Sequence, residues 1–225
     1  MYRNILITGA NRGIGLNLVN ALLKKEYNVI AVSKNDENLR HIQNHNLKII
    51  KADLQNMDEV KKVFCILNEE GLTIDILVNN AGIGKFMSIE DFEYDDWNSI
   101  INLNLNVPFC FIKQVIPNMK KQNYGRIINI GSDADSKPEK NAAAYCASKY
   151  GLLGLTQCVR LEVRGFNIGV TTISPGRVDT YFNSKYPGCR PTSLKPSDVV
   201  KQIEFILSME DRCNIEQIKL NSILE

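Results

Sequence analysis

The stretch Ile5-Leu-Ile-Thr-Gly-Ala-Asn-Arg-Gly-Ile-Gly15 joins a short apolar run, typical of a buried strand, to a glycine-rich turn. An amphipathic segment, predicted as a helix over 13–25, follows at once. Glycines 9, 13 and 15 let the backbone turn tightly and approach a pyrophosphate, and the start of a helix offers N–H donors and a partial positive charge. Such a turn can be only a turn, but its place at the first strand–helix junction favours a nucleotide site.

The rest of the chain repeats this alternation of short β-branched runs with longer amphipathic ones. The predicted strands are 3–8, 27–33, 47–51, 74–78, 125–131, 167–173 and 215–220. The predicted helices are 13–25, 36–44, 56–70, 95–121, 144–165 and 196–208. Strands that alternate with helices imply right-handed βαβ units, and hence an α/β fold with a doubly wound parallel sheet and helices on both faces. Because no linker divides the 225 residues, we expect one domain over 1–225.

Composition excludes several classes of function. The net charge is only +2, with the basic residues scattered, so no basic stripe suits nucleic acid. The first apolar run is too short for a secretion signal or a membrane span. The six cysteines form no Cys-x-x-Cys pair, and several fall on apolar helical positions. We therefore expect buried free thiols and a cytoplasmic protein.

The two histidines, His41 and His45, raise the question of a metal site because they lie four residues apart. Ile42 follows the first of them, where a metalloprotease helix would carry glutamate. The sequence shows no third ligand nearby. A solvated helix face is the favoured interpretation, and no metal is expected.

The end of the second predicted strand carries information about the nucleotide. It reads Ala31-Val-Ser-Lys-Asn35, whereas NAD-binding folds usually place a carboxylate there to accept from the ribose 2′-OH. Ser33, Lys34 and the nearby Arg12 suit a 2′-phosphate better. The sequence thus favours NADP(H) over NAD(H), which stays possible. Asp36 is interpreted as the N-cap of the next helix rather than as a ribose ligand.

Two further strand ends carry polar side chains. Asp53 follows the third predicted strand, where it is either an acceptor for the adenine amino group or an acid at a helix start. Asn79-Asn-Ala-Gly82 follows the fourth. Ligands bind at the carboxyl ends of strands in open α/β sheets, so Asn79 is expected either to bridge neighbouring loops or to hold a ribose.

Tyr145-Cys-Ala-Ser-Lys149 places a phenol and an ammonium four residues apart, on one face of a predicted helix. A nearby cation favours the ionised phenol and lowers its pKa, which suits acid–base chemistry near neutral pH. Ser132 closes the preceding strand. A second match, Tyr181-Phe-Asn-Ser-Lys185, lies in a stretch rich in proline and glycine that is predicted as a loop. The context therefore favours the first pair.

Pro108 lies inside the predicted helix 95–121. Because proline has no N–H to give to the carbonyl of Asn104, it kinks the helix and leaves that carbonyl able to hold a water. The alternative is that Pro108 merely separates two shorter helices.

Taken in order and spacing, these residues resemble the short-chain dehydrogenase/reductase family. The matches are Thr8-Gly-x-x-x-Gly-x-Gly15, Asp53, Asn79-Asn-Ala-Gly82, Asn104, Ser132, Tyr145-x-x-x-Lys149 and Pro175-Gly176. The resemblance covers most of the chain. It implies an NAD(P)-dependent oxidoreductase on a Rossmann fold, without a metal.

The resemblance also implies roles for four residues. Tyr145 would act as the general acid for carbonyl reduction, Lys149 would lower its pKa and hold the nicotinamide ribose, and Ser132 would polarise the substrate carbonyl. Asn104 would support a water that relays protons to Lys149, and hydride would leave the pro-S face of the nicotinamide. The residues expected to hold the cofactor, from the arguments above and from this resemblance, are Gly9, Asn11, Arg12, Gly13, Ile14, Gly15, Ser33, Lys34, Asp53, Leu54, Asn79, Ala81, Gly82, Tyr145, Lys149, Pro175, Gly176, Val178 and Thr180.

The expected activity is that of an NADP(H)-dependent carbonyl reductase or alcohol dehydrogenase acting on a small molecule. A nucleotide-binding regulator without turnover is the alternative, and an epimerase or dehydratase of the extended branch ranks last. The substrate pocket should draw on 83–90, 133–141 and a lid at 177–195. The charges of 133–141 either indicate a polar substrate or only face solvent.

The chain ends soon after the last predicted strand, where many family members carry a glycine-rich segment that helps to build tetramers. Pro196-Ser-Asp-Val-Val200 and Asn214-Ile215 instead resemble shorter members such as the 3-hydroxy acid dehydrogenases. A homodimer through the helices at 95–121 and 144–165 and a homotetramer are both expected possibilities. No nucleic-acid or membrane partner is expected.

Overall fold

Seven parallel strands form one sheet at the centre of the computed structural model, which describes residues 3–182 and 186–224. The strands are β1 (Asn4–Thr8), β2 (Asn28–Ser33), β3 (Leu47–Lys51), β4 (Ile76–Asn79), β5 (Gly125–Ile130), β6 (Ile168–Pro175) and β7 (Gln217–Leu220). Their order across the sheet is β3-β2-β1-β4-β5-β6-β7. The chain therefore winds outward from β1 in one direction and then from β4 in the other. This confirms the predicted doubly wound parallel sheet and all seven predicted strands.

In the described part of the chain, six α-helices cover the two faces of this sheet. They are α1 (Gly13–Leu23), α2 (Met57–Glu69), α3 (Tyr94–Ile101), α4 (Val107–Gln122), α5 (Ala143–Val163) and α6 (Pro196–Ser208). Successive side chains of a strand point to opposite faces, so Ile5 and Ile7 of β1 pack with α1 and α6, and Leu6 packs with α2 and α4. Both faces of β1 are fully buried, which explains its unbroken apolar run.

The helix predicted over 36–44 is absent. Asp36 accepts backbone hydrogen bonds from Leu39 and Arg40, both at 2.9 Å, and the chain then continues in turns to β3. Only Leu39 is fully buried in this stretch, so a helix there would lack an apolar face to bury. The prediction that Asp36 caps a helix was therefore wrong, because no helix follows it.

The helix predicted over 95–121 is divided. A π-helical turn, Asn102–Asn106, separates α3 from α4, and the N–H of Val107 donates to the carbonyl of Asn102. Pro108 lies in the first turn of α4, where its missing N–H is tolerated. The break near Pro108 was expected. The error lay in treating the two helices as one.

The stretch Tyr94–Gln122 is also long and apolar enough, by length and composition, to cross a membrane, with a mean hydropathy of 1.2 over its best window. In the structure it serves as a core element. Phe111, Val115 and Met119 of α4 are buried against the sheet.

The cysteines are not buried as predicted. Cys65, Cys158, Cys189 and Cys213 are exposed, and the other two are half-buried. In α2, Val60, Val63 and Leu67 form the buried stripe, so the neighbouring Cys65 points away from the core. All six thiols are free.

Candidate active site

A cavity of about 980 Å³ opens at the carboxyl ends of the strands, where ligands bind in open α/β sheets. All three segments predicted to form a substrate pocket contribute to it. Its walls include Ile83 and Phe86, residues 139–141, and residues 189–192. The cavity also reaches the glycine turn and the end of β2, so one continuous space joins the predicted nucleotide end to Tyr145 and Lys149.

The glycine turn has the conformation that its sequence predicts. Gly9 and Gly13 have φ angles of +66° and +57°, which side chains rarely adopt. At Gly15, a Cβ would lie 2.3 Å from the carbonyl oxygen of Gly9, so only glycine fits. These glycines let the backbone fold back on itself immediately before α1.

The amino end of α1 suits an anion. Its N-cap residue, Arg12, makes no side-chain capping hydrogen bond, so its first N–H groups are not satisfied by a side-chain cap. Unsatisfied N–H groups and the helix dipole together make a site for phosphate. The turn, the uncapped helix and the volume of the cavity therefore fit a dinucleotide pyrophosphate.

Thr8 and Asn80 hold the glycine turn against the end of β4, a role that the sequence reasoning missed. The Thr8 hydroxyl accepts from the N–H groups of Asn80 and Ala81, both at 3.0 Å. The Asn80 side-chain amide donates to the carbonyls of Thr8, at 2.9 Å, and Gly9, at 3.1 Å. The pair Asn79-Asn80 after β4 was the signal in the sequence, but the prediction gave a role only to Asn79.

Asn79 does not line the cavity. Its side-chain amide donates to the Asn129 side chain at 2.8 Å, and Asn129 donates to the Thr156 hydroxyl at 2.8 Å. This buried chain ties β4 and β5 to α5. Asn79 was expected to bridge neighbouring loops or to hold a ribose; it links two strands and a helix instead, and Asn80 makes the bridge between the loops.

Arg12, Ser33 and Lys34 come together at the nucleotide end of the cavity. The Lys34 ammonium lies 2.7 Å from the Asp53 carboxylate, and the Ser33 hydroxyl donates to the carbonyl of Asn35. The Lys34 ammonium, through this hydrogen bond, holds the pKa of Asp53 below its usual range. Two residues predicted to contact different parts of a nucleotide thus contact each other.

Asp53 is not the residue that starts α2. That place belongs to Asn56, whose side chain accepts from the N–H of Asp58 at 2.9 Å. Asp53 instead lines the cavity and accepts from the N–H of Gln55 at 3.0 Å. The interpretation of Asp53 as a helix-start acid was therefore wrong.

Most of the predicted cofactor residues line the cavity, and three do not. Those that line it are Gly9, Arg12, Gly13, Ile14, Ser33, Lys34, Asp53, Leu54, Ala81, Gly82, Tyr145, Lys149, Pro175, Gly176, Val178 and Thr180. Asn11 is tied to the turn at Asn38, whose N–H and side-chain amide both donate to it at 2.9 Å. Gly15 packs against the carbonyl of Gly9 within the turn. Asn79 belongs to the buried series of hydrogen bonds described above.

Tyr145 and Lys149 lie on α5 at the inner end of the cavity, both buried. The Lys149 ammonium donates to the carbonyl of Ile130 at 2.8 Å and lies 5.7 Å from the centre of the Tyr145 ring. Ser132 also lines the cavity. Its hydroxyl accepts from the N–H of Ala134 at 3.2 Å and donates to the Asp133 carboxylate at 3.1 Å. Ser132, just after β5, and Tyr145 and Lys149 of α5 thus line the same cavity.

The pKa values of the pair differ from the sequence expectation. Burial raises the pKa of Tyr145 to about 12, although the neighbouring Ser132 hydroxyl acts in the opposite direction. Burial lowers the pKa of Lys149 to about 8. The expected lowering of the Tyr145 pKa by the cation is therefore not found in the protein alone, because loss of water around the phenolate dominates.

Asn104 acts as a clamp on the loop after β4. Its side-chain carbonyl accepts from the N–H of Ile83 at 2.9 Å. Its amide donates to the carbonyl of Ile83 at 2.9 Å and to the Ser148 hydroxyl at 3.0 Å. Both side-chain groups of Asn104 thus have protein partners, and the backbone carbonyl is the group predicted to hold the relay water. That relay stays a prediction.

Two phenylalanines enclose Tyr145, and the sequence reasoning did not single them out. The ring centres of Phe86 and Phe182 each lie 5.6 Å from that of Tyr145. Thr180 and Tyr181 directly precede Phe182 and lie near the glycine turn. There the Arg12 guanidinium lies 5.7 Å from the centre of the Tyr181 ring. In the second Tyr-x-x-x-Lys match, Tyr181 is a cavity residue of the lid, and Lys185 lies outside the described residues.

Within residues 3–182 and 186–224, no group of three or more His, Cys, Asp and Glu side chains is arranged to hold a metal ion. Beside the glycine turn, the described cavity presents the Tyr145 phenol, the Lys149 ammonium and the Ser132 hydroxyl.

Comparison with known proteins decides the family. A model of the family described as short chain dehydrogenase matches residues 3–188. The chain belongs to this family. The match spans the glycine turn, the strand ends and the Tyr145–Lys149 pair, so the resemblance predicted from the motifs is confirmed.

Relatives within the short-chain dehydrogenase family match the chain over nearly its whole length. An uncharacterized oxidoreductase of Staphylococcus aureus (strain MW2) is 28% identical over 97% of this chain and 96% of its own. A solved structure of 4-hydroxyisoleucine dehydrogenase complexed with NADH is 31% identical, with a TM-score of 0.91 over 98% of this chain and 97% of its own. A solved structure of serine dehydrogenase complexed with NADP+ is 28% identical, with a TM-score of 0.91 over 99% of this chain and 96% of its own. The chain is thus an oxidoreductase of this family with a Rossmann fold, and these two solved relatives carry nicotinamide dinucleotides.

Proposed function

We propose that this protein is an NADP(H)-dependent carbonyl reductase or alcohol dehydrogenase that acts on a small polar substrate. One observation carries the proposal. The buried Tyr145–Lys149 pair and Ser132 lie in the same cavity as the uncapped amino end of α1. A nicotinamide bound along this cavity would have its reactive end beside a proton donor.

NADPH held in this cavity would supply the hydride that the carbonyl carbon of the substrate accepts. The side chains supply everything else. Ser132 holds the carbonyl oxygen, and Tyr145 donates the proton that converts this oxygen to a hydroxyl. Because burial raises the pKa of Tyr145 to about 12, the phenol carries its proton at neutral pH. Lys149, whose pKa is about 8, is mostly protonated there and stabilises the phenolate that forms.

After proton donation, Tyr145 must regain a proton from solvent. Lys149 lies next to it, and Asn104 follows on the π-helical turn. We assign the backbone carbonyl of Asn104 to the water that completes this path. Phe86 and Phe182 exclude other water from the reacting atoms, which protects the ionised intermediate state.

NADP(H) is the proposed cofactor because Arg12 and Lys34 face the nucleotide end and no acid occupies the end of β2. Solved relatives divide on this point, since one carries NADH and another carries NADP+. The local charge of this chain supports the phosphorylated form. A 2′-phosphate would replace the Asp53 carboxylate as the partner of the Lys34 ammonium.

A small hydroxy acid, including hydroxy amino acids, is the proposed substrate class. Lys140, Arg177 and Arg190 line the cavity, and they outnumber the acids Asp133 and Glu139. The solved relatives named for 4-hydroxyisoleucine and for serine oxidise small molecules of this kind by their names. The charged segment 133–141 does line the cavity at several positions, which supports the expectation of a polar substrate over a long acyl chain.

The direct test is a turnover assay. The purified protein is mixed with NADP+ and a panel of 3-hydroxy acids and 3-hydroxy amino acids, and with NADPH and simple ketones, aldehydes and 3-oxoacyl compounds. We expect a change in NADPH fluorescence with at least one member. If no member is turned over while NADPH still binds, the alternative of a cofactor-binding regulator gains support. An epimerase or dehydratase would convert substrate without net change in NADPH.

The exposed face of α5 supports a homo-oligomer. Tyr150 and Leu161 are eleven residues apart, which places them on one face three turns apart, and they are 45% and 54% exposed. Gly154 lies between them on the same face, and a Cβ there would meet no atom of the described chain within 4 Å. We propose that a second copy of the chain covers this face, as a dimer or as part of a tetramer.

Leu161→Glu is expected to convert the oligomer to monomers, because it buries a charge in the proposed contact. Light scattering after gel filtration measures the mass. Glu162→Gln, one position away and also exposed, is the matched control and should keep the oligomer. A monomeric unsubstituted protein would rule the contact out.

Two further expectations stay proposals. The single seven-stranded sheet supports one domain over 1–225, and the six free thiols support a cytoplasmic location.

A further inference from the structure

Asp135 is a buried acid that the proposed reaction does not use. Only 1% of its surface is exposed. It lies three residues after Ser132, in a short turn that leads from β5 towards α5. A carboxylate is seldom fully buried unless it is paired, so its position requires an explanation.

Asp135 is held by hydrogen bonds from two neighbouring strands. One carboxylate oxygen, Oδ2, accepts from the Ser174 hydroxyl, at the end of β6, and from the Gln217 side-chain amide at 3.4 Å, on β7. The other oxygen, Oδ1, has no hydrogen-bond partner among the described residues. The carboxyl group is therefore held in place by side chains of β6 and β7.

Asp135 and Lys149 lie beside the same two residues at the end of β5. The Lys149 ammonium donates to the carbonyl of Ile130 at 2.8 Å. A Cβ on the next residue, Gly131, would lie 3.0 Å from Oδ2 of Asp135. The two charges thus interact through a region from which water is excluded, where attraction between opposite charges is stronger than at the surface.

We propose that Asp135 is a positioning residue for the reaction, a buried counter-charge that keeps Lys149 protonated beside Tyr145. This inference rests on the function proposed above. Among the described residues, Asp135 is the carboxylate that opposes the fall in the Lys149 pKa that burial causes. Around Tyr145, the facing groups are Ser132, Asp133, Glu139 and Cys146. Asp135 therefore acts on the pair through the lysine.

The sign of its effect is fixed by electrostatics. Removing a nearby negative charge makes each proton of the coupled pair easier to lose, so both apparent pKa values fall. In the oxidation of an alcohol, Tyr145 must accept a proton, and the rate rises with pH through these values. Asp135→Asn should therefore move the rising limb of kcat/KM to lower pH, by about half to one pH unit.

The test compares pH profiles of alcohol oxidation for the unsubstituted protein, Asp135→Asn and Ser174→Ala. Ser174→Ala is the matched control, since it removes a hydrogen bond to Asp135 but leaves the charge, and its profile should stay in place. A purely structural role for Asp135 predicts the opposite pattern. Both variants would lose thermal stability, and neither profile would move, which would overturn the proposal.

Two provisions keep the outcome decisive. If Asp135→Asn does not fold, Asp135→Ala and Asp135→Gly leave no unpaired amide and carry the same expected shift. Turnover by the unsubstituted protein supports the proposed function whatever Asp135 does. If there is no turnover, that function fails, and the ultraviolet absorbance of tyrosinate with NADP+ bound, corrected by Tyr145→Phe, measures the shift instead. An unmoved titration there would also overturn the role of Asp135.

Discussion

Tyr145→Phe is expected to lower kcat by about 10²–10⁴-fold, the range that a positioned general acid or base contributes. The substitution removes one oxygen atom from a buried ring that keeps its contacts with Phe86 and Phe182. The fold and the cofactor site should therefore persist. Stopped-flow or steady-state kinetics measures kcat, and NADPH fluorescence measures the Kd, which should stay near that of the unsubstituted protein.

Tyr150→Phe is the matched control for this prediction. It removes the same hydroxyl from the same helix, but Tyr150 is exposed and lies outside the cavity. Its kcat should be unchanged. Full activity of Tyr145→Phe would contradict the assignment of Tyr145 as proton donor, and a loss of NADPH binding would show that the hydroxyl serves the cofactor instead.

The double substitution Arg12→Ala and Lys34→Ala is expected to lower the preference for NADPH over NADH by about 10–100-fold. A hydrogen bond to a charged group contributes about 1.5–3 kcal/mol, and the Lys34 side chain is 71% exposed, which reduces its share. The measurement is the ratio of the two Kd values, by fluorescence titration. Only NADPH binding should weaken, because the 2′-phosphate is what these cations would hold.

Lys24→Ala removes a comparable exposed charge at the far end of α1 and is the control for general electrostatic effects. Its ratio should not change. Raising the salt concentration should weaken NADPH binding more than NADH binding in the unsubstituted protein. An unchanged ratio in the double variant would show that the 2′-phosphate is not read by these residues.

Much of the fold could be predicted from the sequence because the sheet is buried on both faces. Strands such as β1 and β2 read as continuous apolar runs, and helices such as α6, Pro196–Ser208, carry a clear start signal and an apolar stripe. The helix predicted over 36–44 does not form because its helical pattern is short. Only Leu39 of this segment is fully buried, so there is no apolar helix face to pack against the core.

Site residues were predictable where the local sequence alone fixes the physical role of a residue. Gly9 and Gly13 are needed for their φ angles, and the spacing of Tyr145 and Lys149 places them on one face of α5. Partners contributed by distant segments could not be read in this way. Asp135 meets Ser174 and Gln217 only because β6 and β7 are neighbours in the sheet, and no local spacing records that contact.

Residues 180–182, in the segment predicted as a lid, connect the two ends of the cavity. Thr180 lies against the glycine turn, where a Cβ on Gly13 would be 3.4 Å from its methyl group, and Phe182 lies against Tyr145. Residues 180–182 therefore lie between the glycine turn and Tyr145. If either ligand orders this segment, the other binds more tightly, and linkage requires the enhancement to be equal in both directions. Cofactor and substrate affinities in this protein should then form one cooperative quantity rather than two independent constants.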